Sequence, residues 1–324
     1  MIDSLRRMAL TMASGLCPAA MLAAAAEPTF AERLGWGPND VVVILHVDDV
    51  GMCHSANQGG IESVERGVAT SWSVMMPCPW VPEIAQYLRL HPEVDSGLHL
   101  TLTSEWRLYR WGPLAGKSQV PGLVDSEGCL WRGVAQVVAH ATADEVDREI
   151  RAQFERAEQM GLPITHLDSH MGTLFARPDF FERYVRLGVE KQVPILIPSG
   201  RGVYTLKEHA AEARQLAPWA AKVWNAGLPV IDDLHASSGD WKPGEKTERL
   251  IELLGSLPPG VTQVIFHAAN PSDTFPLITG SSESRRGDLL ALTDPRVREF
   301  IRDRGILLTT WKELMERRRR AAPM

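Results

Sequence analysis

Residues Val41 to Gly51 read Val-Val-Val-Ile-Leu-His-Val-Asp-Asp-Val-Gly, and no other stretch limits the fold as much. The leading residues are apolar and mostly β-branched. Residues 41–47 therefore read as a strand buried on both faces, the kind found in parallel sheets. Asp48 and Asp49 stand together at its end, and Gly51 turns the chain away. Neighbours along a strand face opposite sides, so the strand has to stop there if both acids serve one site. Two carboxylates ending a buried strand are unfavourable unless a cation or hydrogen bonds offset their desolvation. Two readings follow. The pair caps a helix with Ser55 at its N-cap, or one acid holds a metal while its neighbour takes a proton.

Downstream, strand and helix patterns alternate. Strands are expected over 70–76, 96–103, 163–168, 193–197, 228–232, 261–268 and 305–310. Helices are expected over 55–67, 81–90, 144–160, 179–190, 245–257 and 297–302, and from Trp311 onward. Another covers 207–226, interrupted at Pro218. This alternation implies an α/β domain with a mainly parallel sheet, open or closed into a barrel. Residues 104–132 form a long loop holding Trp106, Tyr109, Trp111 and Trp131. Such loops are often functional, so its aromatics either pack beneath it or line a site.

The first residues carry a different signal. Arg6 and Arg7 precede an apolar run from Met8 to Ala26 that ends in small residues. That pattern predicts a cleaved secretory signal over residues 1–26 and a protein exported to the periplasm or outside the cell. Residues 27–324 are then one domain. No later stretch is apolar enough to span a membrane. The net charge of −6 gives no electrostatic case for nucleic acid. Cys53, Cys78 and Cys129 are too sparse for a disulfide framework, though one bridge is permitted after export. Arg317 to Arg320 read as a solvated C-terminal face.

The chemistry gathers at the strand ends. The first expected strand delivers Asp48 and Asp49, the third carries His99, the fourth delivers Asp168 and His170, and the 261–268 strand delivers His267 and Asn270. In parallel α/β sheets and barrels these carboxyl ends form the active-site face. Any one of these histidines alone would pass as a core residue; their convergence with an Asp doublet points to a site. An Asp-His-His set suits a divalent metal with open positions, and imidazole favours zinc or another transition metal. Such a metal acidifies water and polarises a carbonyl. A second carboxylate can take the water's proton, and a further His can protonate the leaving group. Cys53 and Cys78 are either thiolate ligands or small core residues.

Taken together, His46-Val-Asp-Asp-Val-Gly51 with Asn57 and Gly59, Gly97-Leu-His-Leu-Thr101, Asp168-Ser-His170 and His267 resemble the YdjC/ChbG family of carbohydrate deacetylases. These are distant relatives of the polysaccharide deacetylases. The resemblance spans residues 41–270. It implies a distorted, TIM-like (β/α) barrel in a single domain, and removal of the N-acetyl group from an amino sugar. By position it implies one divalent metal on Asp49, His99 and His170, Zn2+ on ligand chemistry, with Mg2+ or Co2+ as alternatives. Asp48 would be the general base and His267 the general acid, the roles of the two aspartates being interchangeable at this level. Asp168 and Asn270 would support the ligands or the substrate. The implied partner is an N-acetylated sugar or glycan; a homodimer is left open.

The chain departs from the family at Val50, where an aromatic is usual, at His170-Met-Gly, where further histidines are frequent, and at His267-Ala-Ala, where His-Pro-Gly is common. Two rivals stand beside the deacetylase. One is a phosphoesterase or esterase on the same scaffold. The other is an inactive glycan-binding protein using the tryptophans of residues 106–131 as a stacking wall.

Overall fold

The computed structural model describes residues 27–321; the expected signal, residues 1–26, lies outside them. The sheet is built on β1 (Val41–Val50), whose side chains from Val42 to Leu45 are fully buried. The other strands are β2 (Ser71–Val74), β3 (Ser96–Leu100), β4 (Leu167–Ser169), β5 (Asp233–His235), β6 (Gly260–Phe266) and β7 (Leu307–Leu308). Their order is β4-β3-β2-β1-β6-β5, with β7 beside the start of β1, and every pairing is parallel. Apart from β1, the strands are shorter than the runs that announce them, and β5 lies just beyond its expected run 228–232, which forms only an isolated bridge from Ile231 to Pro198.

The expected strand at 193–197 does not form as a regular element, yet its backbone links the sheet's two edges. Leu167 N donates to Pro194 O and Leu196 N to Leu167 O, both at 2.8 Å. On the far side Ser199 N donates to Ile231 O at 2.9 Å, and Ile231 N to Ile197 O at 3.3 Å. Ile231 lies just ahead of β5, so the sheet curls into the distorted (β/α) barrel that the alternation and the resemblance imply.

The helix Val81–Leu90 lies where its apolar spacing predicts. Others differ. The helix His54–Glu65 begins before Ser55 and has Cys53 at its N-cap with no side-chain cap bond. Ser55 is inside the helix, and its Oγ meets Ser272 Oγ at 2.8 Å. The expected break at Pro218 falls instead at His209, between helices Val203–Glu208 and Ala210–Asn225; Pro218 sits inside the second. Helices Val134–His140 and Ser282–Thr293 were not anticipated.

The last helix, Trp311–Arg320, corrects the reading of its arginines as a solvated face. The Arg317 guanidinium stacks on Trp36 at 3.9 Å. Arg318 is buried over Trp224 and donates to its carbonyl at 2.7 Å. Two of the four charges thus help to pack the barrel's outer wall.

Candidate active site

β1 does not stop before its acids. It runs on to Val50, and its pairing with β2 slips between Val47 and Val50. Within that slip Asp49 has φ of 66°, a conformation few non-glycine residues adopt. A bulge, rather than a strand end, therefore turns both carboxylates into one site. Gly51 follows at φ 87°, with a missing Cβ whose place lies 2.9 Å from Val74.

Three buried donors converge there. Asp49 Oδ1 stands 3.3 Å from His99 Nε2 and 3.2 Å from His170 Nδ1. All three donor atoms lie within 4.8 Å of one another. Asp49 Oδ1 is buried without a well-formed hydrogen bond. Two ligands bonded to one ion at about 2.0–2.1 Å stand roughly 2.9–3.4 Å apart, so this spacing and donor set fit a divalent cation.

Each of the three is held from behind. Asp168 Oδ1 contacts His99 Nδ1 at 2.7 Å, both Glu105 oxygens lie 3.1 Å from His170 Nε2, and Arg285 donates to Asp49 Oδ2 at 2.7 Å. Such partners fix the ring orientation and basicity of metal-binding groups. Asp168 stands where the resemblance puts a supporting residue. Glu105 and Arg285 were not read from the sequence.

Beside the trio lies Asp48. Its Oδ1 is 3.1 Å from His46 Nε2; its Oδ2 is 3.7 Å from His99 Nε2 and 3.8 Å from His267 Nε2. The fully buried His46 also reaches Asp168 Oδ2 and, through Nδ1, Ser71 Oγ, each at 3.1 Å. It ties the free acid to the residue that orients His99, a link the sequence did not disclose. His267 keeps 29% of its side chain open to solvent. Its backbone N–H donates to Asp288 Oδ2 at 3.0 Å, and Asp288 is paired with Lys246 at 2.5 Å.

Asn270 is corrected. Its Nδ2 turns away to Glu62 Oε2 at 3.2 Å, and its N–H donates to Ser55 O. It braces the helix His54–Glu65 instead of supporting a ligand. Cys53, Cys78 and Cys129 are free. Burial raises the pKa of Cys53 and raises that of Cys78 further, so neither favours the thiolate a metal would need.

The family model described as YdjC-like protein matches residues 42–303. The chain belongs to the YdjC-like family. A carbohydrate deacetylase of Thermus thermophilus is 31% identical to this YdjC-like chain over 88% of it and 97% of the relative. One from Thermoanaerobacter pseudethanolicus is 29% identical over 84% and 98%. A chitooligosaccharide deacetylase of Yersinia pestis is 25% identical over 82% and 96%. A solved Enterococcus faecalis structure, provisionally named a cellobiose-phosphate cleavage protein, superposes with a TM-score of 0.72. It is 24% identical, covers 85% of this chain and 99% of its own, and establishes the shared fold.

The electrostatics of this YdjC-like site follow from its crowding. Burial opposes charge on His170, but Glu105 and Asp49 outweigh it and push the imidazole up to about 9. Burial likewise opposes charge on His99, and Asp48 and Asp168 drive it well above the ordinary range. Asp49, despite burial, is held well below the usual carboxylate range by Arg285 and His170. His267 is lowered, chiefly by burial and with help from Arg285. A metal bound at this site would then have to displace protons from His99 and His170 at neutral pH. Zn2+ affinity is expected to rise between pH 6 and 8 by about 10- to 100-fold per unit, one factor of ten per displaced proton. Calorimetric titrations in buffers of differing ionisation enthalpy would reveal the released protons. A flat affinity over that range would contradict this assignment.

Of the two readings of the loop's aromatics, packing or a stacking wall, the tryptophans mostly follow the first. Trp106 is only 9% exposed and lies edge-on to the buried Trp111, with ring centres 5.4 Å apart. Trp131 stacks on His140 and donates to Gly122 O at 2.8 Å. Arg110 ties the long loop to itself, donating to Asp125 and to Leu130 O.

Proposed function

We propose that this protein is a metal-dependent carbohydrate N-deacetylase. The observation that carries the reading is the convergence of Asp49, His99 and His170 on one point, with Asp48 and His267 alongside. The names of the curated relatives support it. Asp49, His99 and His170 would hold one divalent metal, with Zn2+ favoured by the two imidazoles and Mg2+ or Co2+ as alternatives. Bound there, the ion supplies Lewis acidity toward a water molecule and the amide carbonyl.

The chain's own groups then divide the proton work. Asp48 takes a proton from the attacking water as the new C–O bond forms. His267, 3.8 Å from Asp48 Oδ2, receives that proton and passes it to the amide nitrogen as the C–N bond breaks. Acetate and the free amino sugar leave. Asp168 and Glu105 keep the two histidines turned inward, while Arg285 anchors Asp49.

We also place the enzyme outside the cytoplasm, with residues 1–26 removed on export, on the strength of the Arg6-Arg7 and Met8–Ala26 pattern. Among the described residues no helix is long and apolar enough to cross a membrane.

The test is acetate release from N-acetylglucosamine and chito-oligosaccharides by Zn2+-loaded protein, with p-nitrophenyl phosphate and p-nitrophenyl acetate alongside. Acetate release that is abolished by a chelator and restored by added Zn2+ is expected. Phosphate release without acetate release would sink the reading.

A further inference from the structure

Asp48 and His267 do not open onto bulk solvent alone. Asp48 and His267 form one wall of a cleft of about 560 Å³. The rest of its lining is unlike a sugar-binding surface. Val134, Phe175, Leu196, Leu216 and Leu234 face it, and Met171, half exposed, stands in its lining. Three further polar side chains join them: Ser169, Thr205 and His209. Two of these are already engaged. Ser169 Oγ accepts from Leu174 N at 3.0 Å, and Thr205 Oγ1 donates to Asp233 Oδ1 at 2.8 Å. His209 Nε2 is without a partner.

A pyranose carries several hydroxyls, each needing donors and acceptors once it is removed from water. Beyond the catalytic pair, the side chains lining this cleft offer few free polar groups, the Ser169 hydroxyl hydrogen and the His209 ring. Pockets of roughly 300–1,000 Å³ hold drug-sized ligands, so an acetyl group alone would leave most of this one unfilled. Leu196, Leu216 and Leu234 are themselves buried, so the apolar wall is built in.

Resting on the deacetylase reading, we propose that the substrate is an amphipathic N-acylated amino sugar whose aliphatic chain fills this cleft. The sugar then lies toward the open rim, with its amide between Asp48 and His267. The chain belongs either to the acyl group, released as a longer carboxylate, or to an alkyl aglycone beside the amide. Hydrolysis balances identically in both cases: one water adds, the C–N bond breaks, and a carboxylate and an ammonium form.

Two substrate series distinguish the sources. One is glucosamine N-acylated with acetyl, butyryl, hexanoyl or octanoyl groups. The other is N-acetylglucosamine as its methyl, butyl or octyl glycoside. In one series kcat/KM is expected to rise by about two- to fourfold per added methylene until the cleft is filled. The series that climbs identifies the source of the chain. Met171→Gln at the half-exposed position, and Leu234→Ser deeper in, should flatten that slope, read as the ratio of the longest member to the shortest within each variant. Equal or falling kcat/KM along both series, with acetate still released from short substrates, would overturn this inference and leave the deacetylase standing. Failure to hydrolyse any member of either series would overturn both.

Discussion

If the proposed assignment holds, an Asp48→Asn variant should take up Zn2+ as well as the parent, yet release acetate about 10²- to 10⁴-fold more slowly, the range expected for loss of a positioned general base. The expectation comes from the division of labour in the doublet. Asp49 faces both histidines and is backed by Arg285, whereas Asp48 turns one oxygen to His46 and the other toward His267. Substituting Asp49 should invert the pattern, with metal content falling first and activity following. Metal analysis beside acetate-release kinetics on both variants separates the roles. If Asp48→Asn lost its metal and Asp49→Asn kept it, the two assignments would have to be exchanged.

Lys246→Met is expected to lower stability by about 3–5 kcal/mol, the cost of stranding one partner of a buried ion pair. Lys246 and Asp288 are each 1% exposed, with their charged atoms 2.5 Å apart. Asp288 also accepts the backbone N–H of His267, so the damage should reach turnover. Adding Asp288→Leu removes the stranded charge and should recover most of the loss in a urea midpoint. It should not recover activity, because the second substitution also takes away the acceptor of the His267 N–H. A single variant as stable as the parent would show that the pair contributes little to the fold.

The sequence conveyed the site better than the elements that carry it. A continuous apolar run ending in two acids, and histidines beside later strands, made Asp48, Asp49, His99, His170 and His267 readable. Parallel strands gather their carboxyl ends whatever their exact limits. What was missed was missed for physical reasons. Glu105 lies in a loop without periodicity. Arg285 sits on the helix Ser282–Thr293, which turns Arg285, Gly287 and Asp288 inward with Leu289 and Leu292 and so breaks the usual apolar stripe. The residues that serve the site are those that hid the helix. His46 looked like part of the strand because it is one; only the register with Ser71 and the approach of Asp168 reveal its contacts. Asn270 was over-read, since proximity to His267 in sequence said nothing of the turn that sends it to Glu62.

The slipped register between Val47 and Val50 bears on any attempt to transplant this chemistry. Copying the paired aspartates onto a regular barrel strand would send one carboxylate inward and the other into the helical layer, because alternate residues diverge. The irregular backbone at Asp49 would have to travel with the residues. A designer who straightened that strand to gain stability would keep every functional group of the doublet and lose the site.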